Sequence, residues 1–191
     1  MNQSITAIIL AGGRGSRMGG ADKGLIDFEG RPLAAHVIER IAPQAGRIII
    51  SANRNLEAYA GFGHPLVRDE LSDFQGPLAG IVAAGRQVET GLICVVPCDT
   101  PRLPEDLVSR LRAAMDRESA EIAIAHDGER SQQLCLLLQR GLLADMADYL
   151  ERGGRRVISW IESHRWTTAD FSDQPQSFRN LNQPEGPAIK A

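Results

Sequence analysis

Ile5-Thr6-Ala7-Ile8-Ile9-Leu10-Ala11-Gly12-Gly13-Arg14-Gly15-Ser16-Arg17-Met18-Gly19-Gly20-Ala21-Asp22-Lys23-Gly24 runs from a continuous apolar stretch straight into a glycine-rich, cationic turn. Ile5 to Leu10 read as a strand buried on both faces, as in a parallel sheet covered by helices. Six glycines between residues 10 and 24 leave the backbone unshielded, and Arg14, Arg17 and Lys23 add cationic side chains. Glycine lets amides turn toward a ligand, and successive amides facing one concavity form an anion nest. Cations that clamp several phosphate oxygens make a triphosphate the natural guest. The turn also follows directly on a strand, the place where open α/β sheets hold ligands.

Outward from this stretch, strand-like runs alternate with helix-length segments. Arg47–Ser51 reads as a β-branched second strand, Leu66–Arg68 as a short third and Leu92–Val96 as a fourth, with Glu121–Ala125 and Leu134–Leu138 beyond them. Pro32 at a first helical position opens a helix to about Ala42, with Leu33, Val37, Ile38 and Ile41 on one face. Leu78 to Val88 is helical and alanine-rich, and Pro104, Glu105 and Asp106 open the next helix with the acidic bias that a macrodipole favours. Helices around Leu142–Leu150 and Arg156–Ile161 complete the series. The pattern predicts a single-domain, doubly wound α/β fold with a mainly parallel sheet. Pairing after residue 120 is less regular, and antiparallel partners are expected there. Pro184-Glu185-Gly186-Pro187 blocks a terminal helix, so a loose tail is expected.

At 191 residues, with 43% hydrophobic and 24% charged residues, the composition is that of one globular domain with a sizeable core. A net charge of −3 argues against nucleic acid or an anionic membrane as partner. No apolar run approaches the roughly 18 residues that span a bilayer. The apolar run at residues 5–10 is too short for a signal peptide, so a cytoplasmic location is expected. The three cysteines, Cys94, Cys98 and Cys135, show no CxxC spacing, which argues against a disulfide framework or a zinc site. Cys94 reads as a small buried hydrophobe, and Asp99 works against a thiolate at Cys98. The four histidines, His36, His64, His126 and His164, form no evident triad; His126, beside Asp127 at a strand end, is the one placed to approach a site.

The turn fits neither common phosphate-binding pattern. A P-loop needs Gly-Lys-Ser/Thr, whereas Lys23 follows Asp22 and precedes Gly24. A G-x-G-x-x-G reading begins at Gly13 and Gly15 but meets Met18 in its third position, and the second strand leads into Ser51-Ala52-Asn53 with no acidic residue. What remains is Leu10-Ala11-Gly12-Gly13, then Arg17-Met18-Gly19-Gly20 and Asp22-Lys23. These residues resemble the Rossmann-like, glycosyltransferase-A-type nucleotidyltransferases, and more closely the molybdenum cofactor guanylyltransferases. The resemblance covers nearly the whole chain. It continues in order through Ser51-Ala52-Asn53-Arg54, Asp69, Gly76-Pro77-Leu78-Ala79-Gly80 and Pro97-Cys98-Asp99-Thr100-Pro101. His126-Asp127-Gly128-Glu129, Arg155-Arg156-Val157 and Asn180-Leu181-Asn182 follow.

The resemblance implies transfer of GMP from GTP to the terminal phosphate of the molybdenum-molybdopterin cofactor, with release of pyrophosphate. Residues up to about 100 would bind GTP and the later ones the pterin. It implies that Asp99, between Pro97 and Pro101, holds Mg²⁺ against the triphosphate. Arg17 and Lys23 would neutralise the triphosphate and support the departing pyrophosphate, with Arg14 a further candidate. An attacking phosphate oxygen is already anionic near neutral pH, so positioning and charge stabilisation carry such a reaction without a general base.

By the same resemblance Leu10, Ala11, Gly12 and Gly13 surround the guanosine together with Ser51, Asn53 and Asp69. Gly80 belongs to a helix start whose amides face a phosphate. Asn180 and Asn182, with Arg155 and Arg156, are the pterin-side candidates. A turn role for Asn53 and a solvated helix start for the two arginines stay open. Two departures stand out: Ser51 where the family often has Asn, and Ser131-Gln132-Gln133 where a proline-containing turn is expected.

A related cytidylyltransferase is the nearest alternative. Those relatives tend to show Ala-Ala-Gly and Pro-Lys where this chain has Ala-Gly-Gly and Asp-Lys. A non-catalytic nucleotide-binding protein on the same fold is a second alternative, against which Lys23 and Asp99 together argue. A monomer with no nucleic-acid or membrane partner is expected. Transient contacts with other molybdenum cofactor assembly proteins and with target molybdoenzymes are implied by the family alone.

Overall fold

The computed structural model describes residues 5–11, 22–68 and 76–181. The first strand, β1 (Ile5–Leu10), is buried along its whole length. Its side chains alternate between two cores: Ile5, Ala7 and Ile9 enter one, Ile8 and Leu10 the other. A strand apolar at every position needs cover on both faces, and the helices supply it. The first core receives α1 (Leu33–Ile41) and α4 (Leu107–Glu118). The second receives α3 (Pro77–Gly85), α5 (Leu143–Glu151) and α6 (Val157–Ile161).

Among the described residues, seven strands form one sheet. With β4 (Arg47–Ser51), β5 (Leu66–Val67), β6 (Leu92–Pro97), β7 (Ile122–His126), β8 (Ser131–Gln139) and β9 (Trp166–Asp170), the order is β5-β4-β1-β6-β8-β7-β9. Only β8 runs against its neighbours in this sheet; β1/β4, β1/β6, β4/β5 and β7/β9 are parallel. The doubly wound, mainly parallel sheet expected from the alternating pattern is therefore present, and the antiparallel pairing beyond residue 120 is confined to β8. The chain leaves β1 toward β4 and returns on its other side as β6, so the strand order reverses at β1. Crevices at such reversals are where α/β sheets bind ligands.

Several boundaries differ from the sequence reading. Pro104, Glu105 and Asp106 precede α4, which begins at Leu107. Its second amide, on Val108, is satisfied from elsewhere by the Gln44 side-chain oxygen at 2.9 Å, so a distant residue sets where the helix starts. Likewise α1 begins one residue after Pro32, because Pro32 belongs to a two-residue hairpin, β2 (Asp27–Phe28) with β3 (Arg31–Pro32). Besides this hairpin, α2 (Leu56–Ala60) and β9 have no counterpart in the sequence reading. Helix α2 is one short turn, and β9 is a mostly polar strand recruited by β7. The residues Ser131-Gln132-Gln133 are strand, not a proline-type turn.

The turn between β7 and β8 is organised by Asp127, which is buried. Its Oδ1 accepts the amides of Glu129 (2.9 Å) and Arg130 (2.8 Å), and its Oδ2 accepts the Gln132 side-chain amide (2.6 Å). Burial alone would raise the pKa of this carboxyl. The bonds from Arg130, Glu129 and Gln132 more than reverse that, and it titrates below its ordinary 3.8. A depressed carboxylate contributes stability above its unfolded pKa, and the contribution fades as pH falls through the lower folded value. Asp127→Asn is expected to lose about 1–3 kcal/mol at pH 7 by urea unfolding. The gap to the wild type should narrow as pH drops below about 4. A gap that stays constant down to pH 2 would contradict the charge-based account.

Candidate active site

Three strands end in line. Leu10 pairs with Ser51 on one side and with Pro97 on the other, so the ends of β1, β4 and β6 form one rim. Backbone bonds continue past the strands: the Ala11 amide donates to Ser51 (2.8 Å), the Cys98 amide to Leu10 (3.1 Å) and the Ala52 amide to Val67 (3.0 Å). These bonds carry Ala11, Ala52 and Cys98-Asp99 out over the rim together.

Lys23 and Asp99 meet there, 76 positions apart in the chain, with Nζ 3.3 Å from Oδ2. Lys23 begins a short 3-10 turn (Lys23–Leu25), closed by the Leu25 amide on the Asp22 carbonyl (3.1 Å) and the Ile26 amide on the Lys23 carbonyl (3.2 Å). The Asp99 side chain is 12% exposed and that of Lys23 37%. One face of the carboxylate therefore remains reachable while its low-dielectric surroundings strengthen the attraction to a cation. The Asp99 carbonyl accepts the amide of Leu181 at 3.0 Å. This bond brings Asn180, exposed and adjacent, to the same corner of the molecule. The C-terminal motif, read from the sequence as pterin-side, thus lies beside Asp99, read as triphosphate-side.

At the other end of the rim Ser51 is buried beneath α3. A Cβ on Gly80 would lie 2.7 Å from Ser51 Oγ and 3.3 Å from Leu10 Cδ2. Glycine is needed here for close approach of helix to strand, and Leu10, Ser51 and Gly80 form one contact. Gly76 precedes the helix with φ +88°, a conformation that favours glycine, and Pro77 opens the first turn. Asn53 lies two residues beyond β4 and is half-buried. Gly12, Gly13, Arg14, Arg17, Asp69 and Asn182 lie outside the described residues.

Other candidates are engaged elsewhere. The Arg155 guanidinium donates to the carbonyls of Leu150 (2.7 Å) and Gly154 (2.6 Å), closing the C-terminal end of α5. His126 Nδ1 accepts the Gly128 amide at 3.1 Å, so it serves the turn that Asp127 holds. The ring of His36 sits between the Phe28 carbonyl (2.8 Å) and Arg31 (3.2 Å). All three cysteines are buried. Burial pushes the Cys94 thiol up to about 12. Burial, then Asp99, raises Cys98 further, which leaves no ready nucleophile.

No group of three or more His, Cys, Asp or Glu side chains among the described residues is arranged to hold a metal ion. A single hard carboxylate such as Asp99 suits a cation that draws its other ligands from phosphate oxygens and water, the habit of Mg²⁺. The sequence reading quotes Asp22 in the Asp-Lys motif but gives its side chain no role. Its buried carboxylate receives Tyr59 Oη at 2.6 Å and Asn55 Nδ2 at 3.0 Å. The signal was present as an acidic residue next to the candidate lysine.

A glycine-rich sequence following β1, Lys23 paired with Asp99 beyond β6, and this strand order accord with an α/β nucleotidyltransferase. The description "MobA-like NTP transferase domain" matches residues 7–166. The chain belongs to that family. It is 47% identical over 185 residues to the molybdenum cofactor guanylyltransferase of Shewanella loihica, covering 97% of this chain and 94% of the relative. Its fold is similar to that of a molybdopterin-guanine dinucleotide biosynthesis protein A from Archaeoglobus fulgidus, with TM-score 0.75, 20% identity and 94% and 93% of the two chains covered. It is also similar to a Mycobacterium tuberculosis protein crystallised in complex with manganese, with TM-score 0.66, 16% identity and 89% of each chain covered.

The Gly80 contact can be tested directly. Gly80→Ala gains about 1 kcal/mol of helix propensity but forces the Ser51 hydroxyl aside. A net loss of about 1–2 kcal/mol is expected in urea unfolding. In a Ser51→Ala background the same substitution should be neutral to slightly stabilising, since the nearest clashing atom is gone and only Leu10 Cδ2, at 3.3 Å, offsets the helix-propensity gain. A full loss in both backgrounds would place the strain elsewhere.

Proposed function

We propose that this chain transfers GMP from GTP to the terminal phosphate of molybdenum-molybdopterin, releasing pyrophosphate and giving the guanine dinucleotide cofactor. The observation that carries this reading is the Lys23–Asp99 pair on the rim, at 3.3 Å, with Lys23 following the glycine-rich sequence in the chain. The name and 47% identity of the Shewanella loihica relative support the choice of substrates. In this reading the segment up to about residue 100 binds GTP and the later segment, with Asn180 beside Asp99, receives the pterin.

Asp99 would hold Mg²⁺, which when bound neutralises charge on the triphosphate. Lys23 and Arg17 would balance the charge that develops on the departing pyrophosphate. Ser51, Asn53 and Asp69 would set base choice with the Leu10–Gly13 backbone. With Lys23 resting on Asp99, the lone carboxylate is already charge-balanced. A triphosphate would offer the ammonium a stronger anionic partner, and Asp99 would then be the residue to hold the metal. A phosphate nucleophile needs no proton removed near neutral pH, so orientation and charge stabilisation suffice.

Asp99→Ala with Mg²⁺ present is expected to lower the rate of GMP transfer on the order of a thousandfold, several kcal/mol of charge stabilisation. Titration with GTP, CTP, ATP and UTP should show GTP bound at least about tenfold more tightly than the others, a difference of 1.4 kcal/mol. Equal affinity for CTP would instead support a cytidylyltransferase. Full transfer by Asp99→Ala would remove the metal assignment.

A further inference from the structure

Asp22 stands between the glycine-rich turn and Lys23, and its side chain is 5% exposed. A carboxylate this deep is costly unless donors surround it. Two donors do so, Tyr59 Oη at 2.6 Å from Oδ1 and Asn55 Nδ2 at 3.0 Å from Oδ2, and the same short segment adds an ion-pair partner, Arg54, with Nε 3.8 Å from Oδ2. Burial, with Cys98 and Asp22 nearby, raises the Tyr59 phenol far above its ordinary value, so it remains a donor.

The segment is built to present these groups. Asn55 takes a left-handed conformation, φ +50°, and its carbonyl accepts the Tyr59 amide at 3.2 Å. Tyr59 is wholly buried and packs edge-on against Phe62, with ring centroids 6.1 Å apart. Its hydroxyl reaches across to the lysine turn. A Cβ on Gly24 would lie 2.4 Å from Tyr59 Oη and 3.1 Å from Cys98 Sγ. The turn is thus packed at Gly24 against both Tyr59 and the residue preceding Asp99. At the same time the Asp22 carbonyl accepts the Leu25 amide at 3.1 Å. With Asp22 held at both its side chain and its carbonyl, the direction in which Lys23 leaves the backbone is set.

We propose that Asp22 is a positioning residue: clamped by Tyr59 and Asn55, it holds the Lys23 ammonium over Asp99, where a triphosphate is received. The proposal rests on the nucleotidyl-transfer reading only in naming what Lys23 meets. A purely structural anchor for α2 would be indifferent to whether Lys23 is present, whereas a positioning residue acts through it.

The test is a double-mutant cycle read with inorganic triphosphate as probe, by calorimetric titration of the full chain, so that no transfer reaction is needed. Tyr59→Phe keeps the ring and removes the donor. It is expected to weaken triphosphate binding about five- to tenfold while its melting temperature stays within a few degrees of the wild type. In a Lys23→Ala background the same substitution should change binding less than twofold. Asp22→Asn, with a neutral amide in place of the carboxylate, should repeat both results. Equal losses with and without Lys23, or no loss in Tyr59→Phe, would overturn the proposal. Failure of the wild-type chain to bind triphosphate would overturn it together with the transfer reading. Coupled binding losses in a chain that transfers no GMP would leave the positioning role standing and remove the transfer reading alone.

Discussion

The shared register of β1, β4 and β6 is the constraint on which the rest of the structure depends. Leu10 sits opposite Ser51 and Pro97, so the chain exits three neighbouring strands at one level. Everything assembled on the rim inherits its placement from that alignment. A slip of two residues in β6 would keep its apolar faces inward yet move Asp99 by about 6–7 Å along the strand, out of reach of Lys23. The register is held by apolar side chains filling two cores, one on each side of the sheet, and by the amides of Ala11, Ala52 and Cys98 bonding beyond the strand ends.

On this rim the chain concentrates opposite charges that its sequence keeps far apart. Lys23 and Asp99 form one partly buried pair, and Asp22 with Tyr59, Asn55 and Arg54 forms a second, deeper cluster one residue away. Each carboxylate is affordable in its surroundings only because donors are held against it. They differ in what is left over. Asp22 is enclosed by donors, while Asp99 keeps an exposed edge. The one is suited to holding backbone in place and the other to meeting a ligand. On the rim, Gly24 and Gly80 occupy close approaches, where a methyl group would strike Tyr59 and Ser51.

Much of this was legible in the residues. Ile5–Leu10 and Arg47–Ser51 are strands at the boundaries read from their apolar runs, and β6 extends Leu92–Val96 by one residue, because continuous burial leaves a continuous signature. Lys23 and Asp99 could be named from their neighbours, the glycines in one case and the flanking prolines in the other. The elements that escaped share a different property. The α2 turn has five residues, too few for a period, and β9 is Trp166-Thr167-Thr168-Ala169-Asp170, in which only Ala169 is buried. Such segments adopt their state because a partner offers bonds, and the partner is distant in sequence. The start of α4 belongs with them, since Gln44 supplies the acceptor for Val108.

The sequence by itself determined the alternation of strand and helix, the two-sided burial of the sheet and the two residues of the ion pair. These follow from local composition and period, which depend on neighbours along the chain. Only the tertiary structure decided that Asp22 is a clamp, that Arg155 closes a helix, that Asp127 holds a turn and that Leu181 is tied to Asp99. A carboxylate or guanidinium has no intrinsic role. Its role is set by which donors or acceptors reach it and by how much water remains beside it, and both are properties of the folded arrangement.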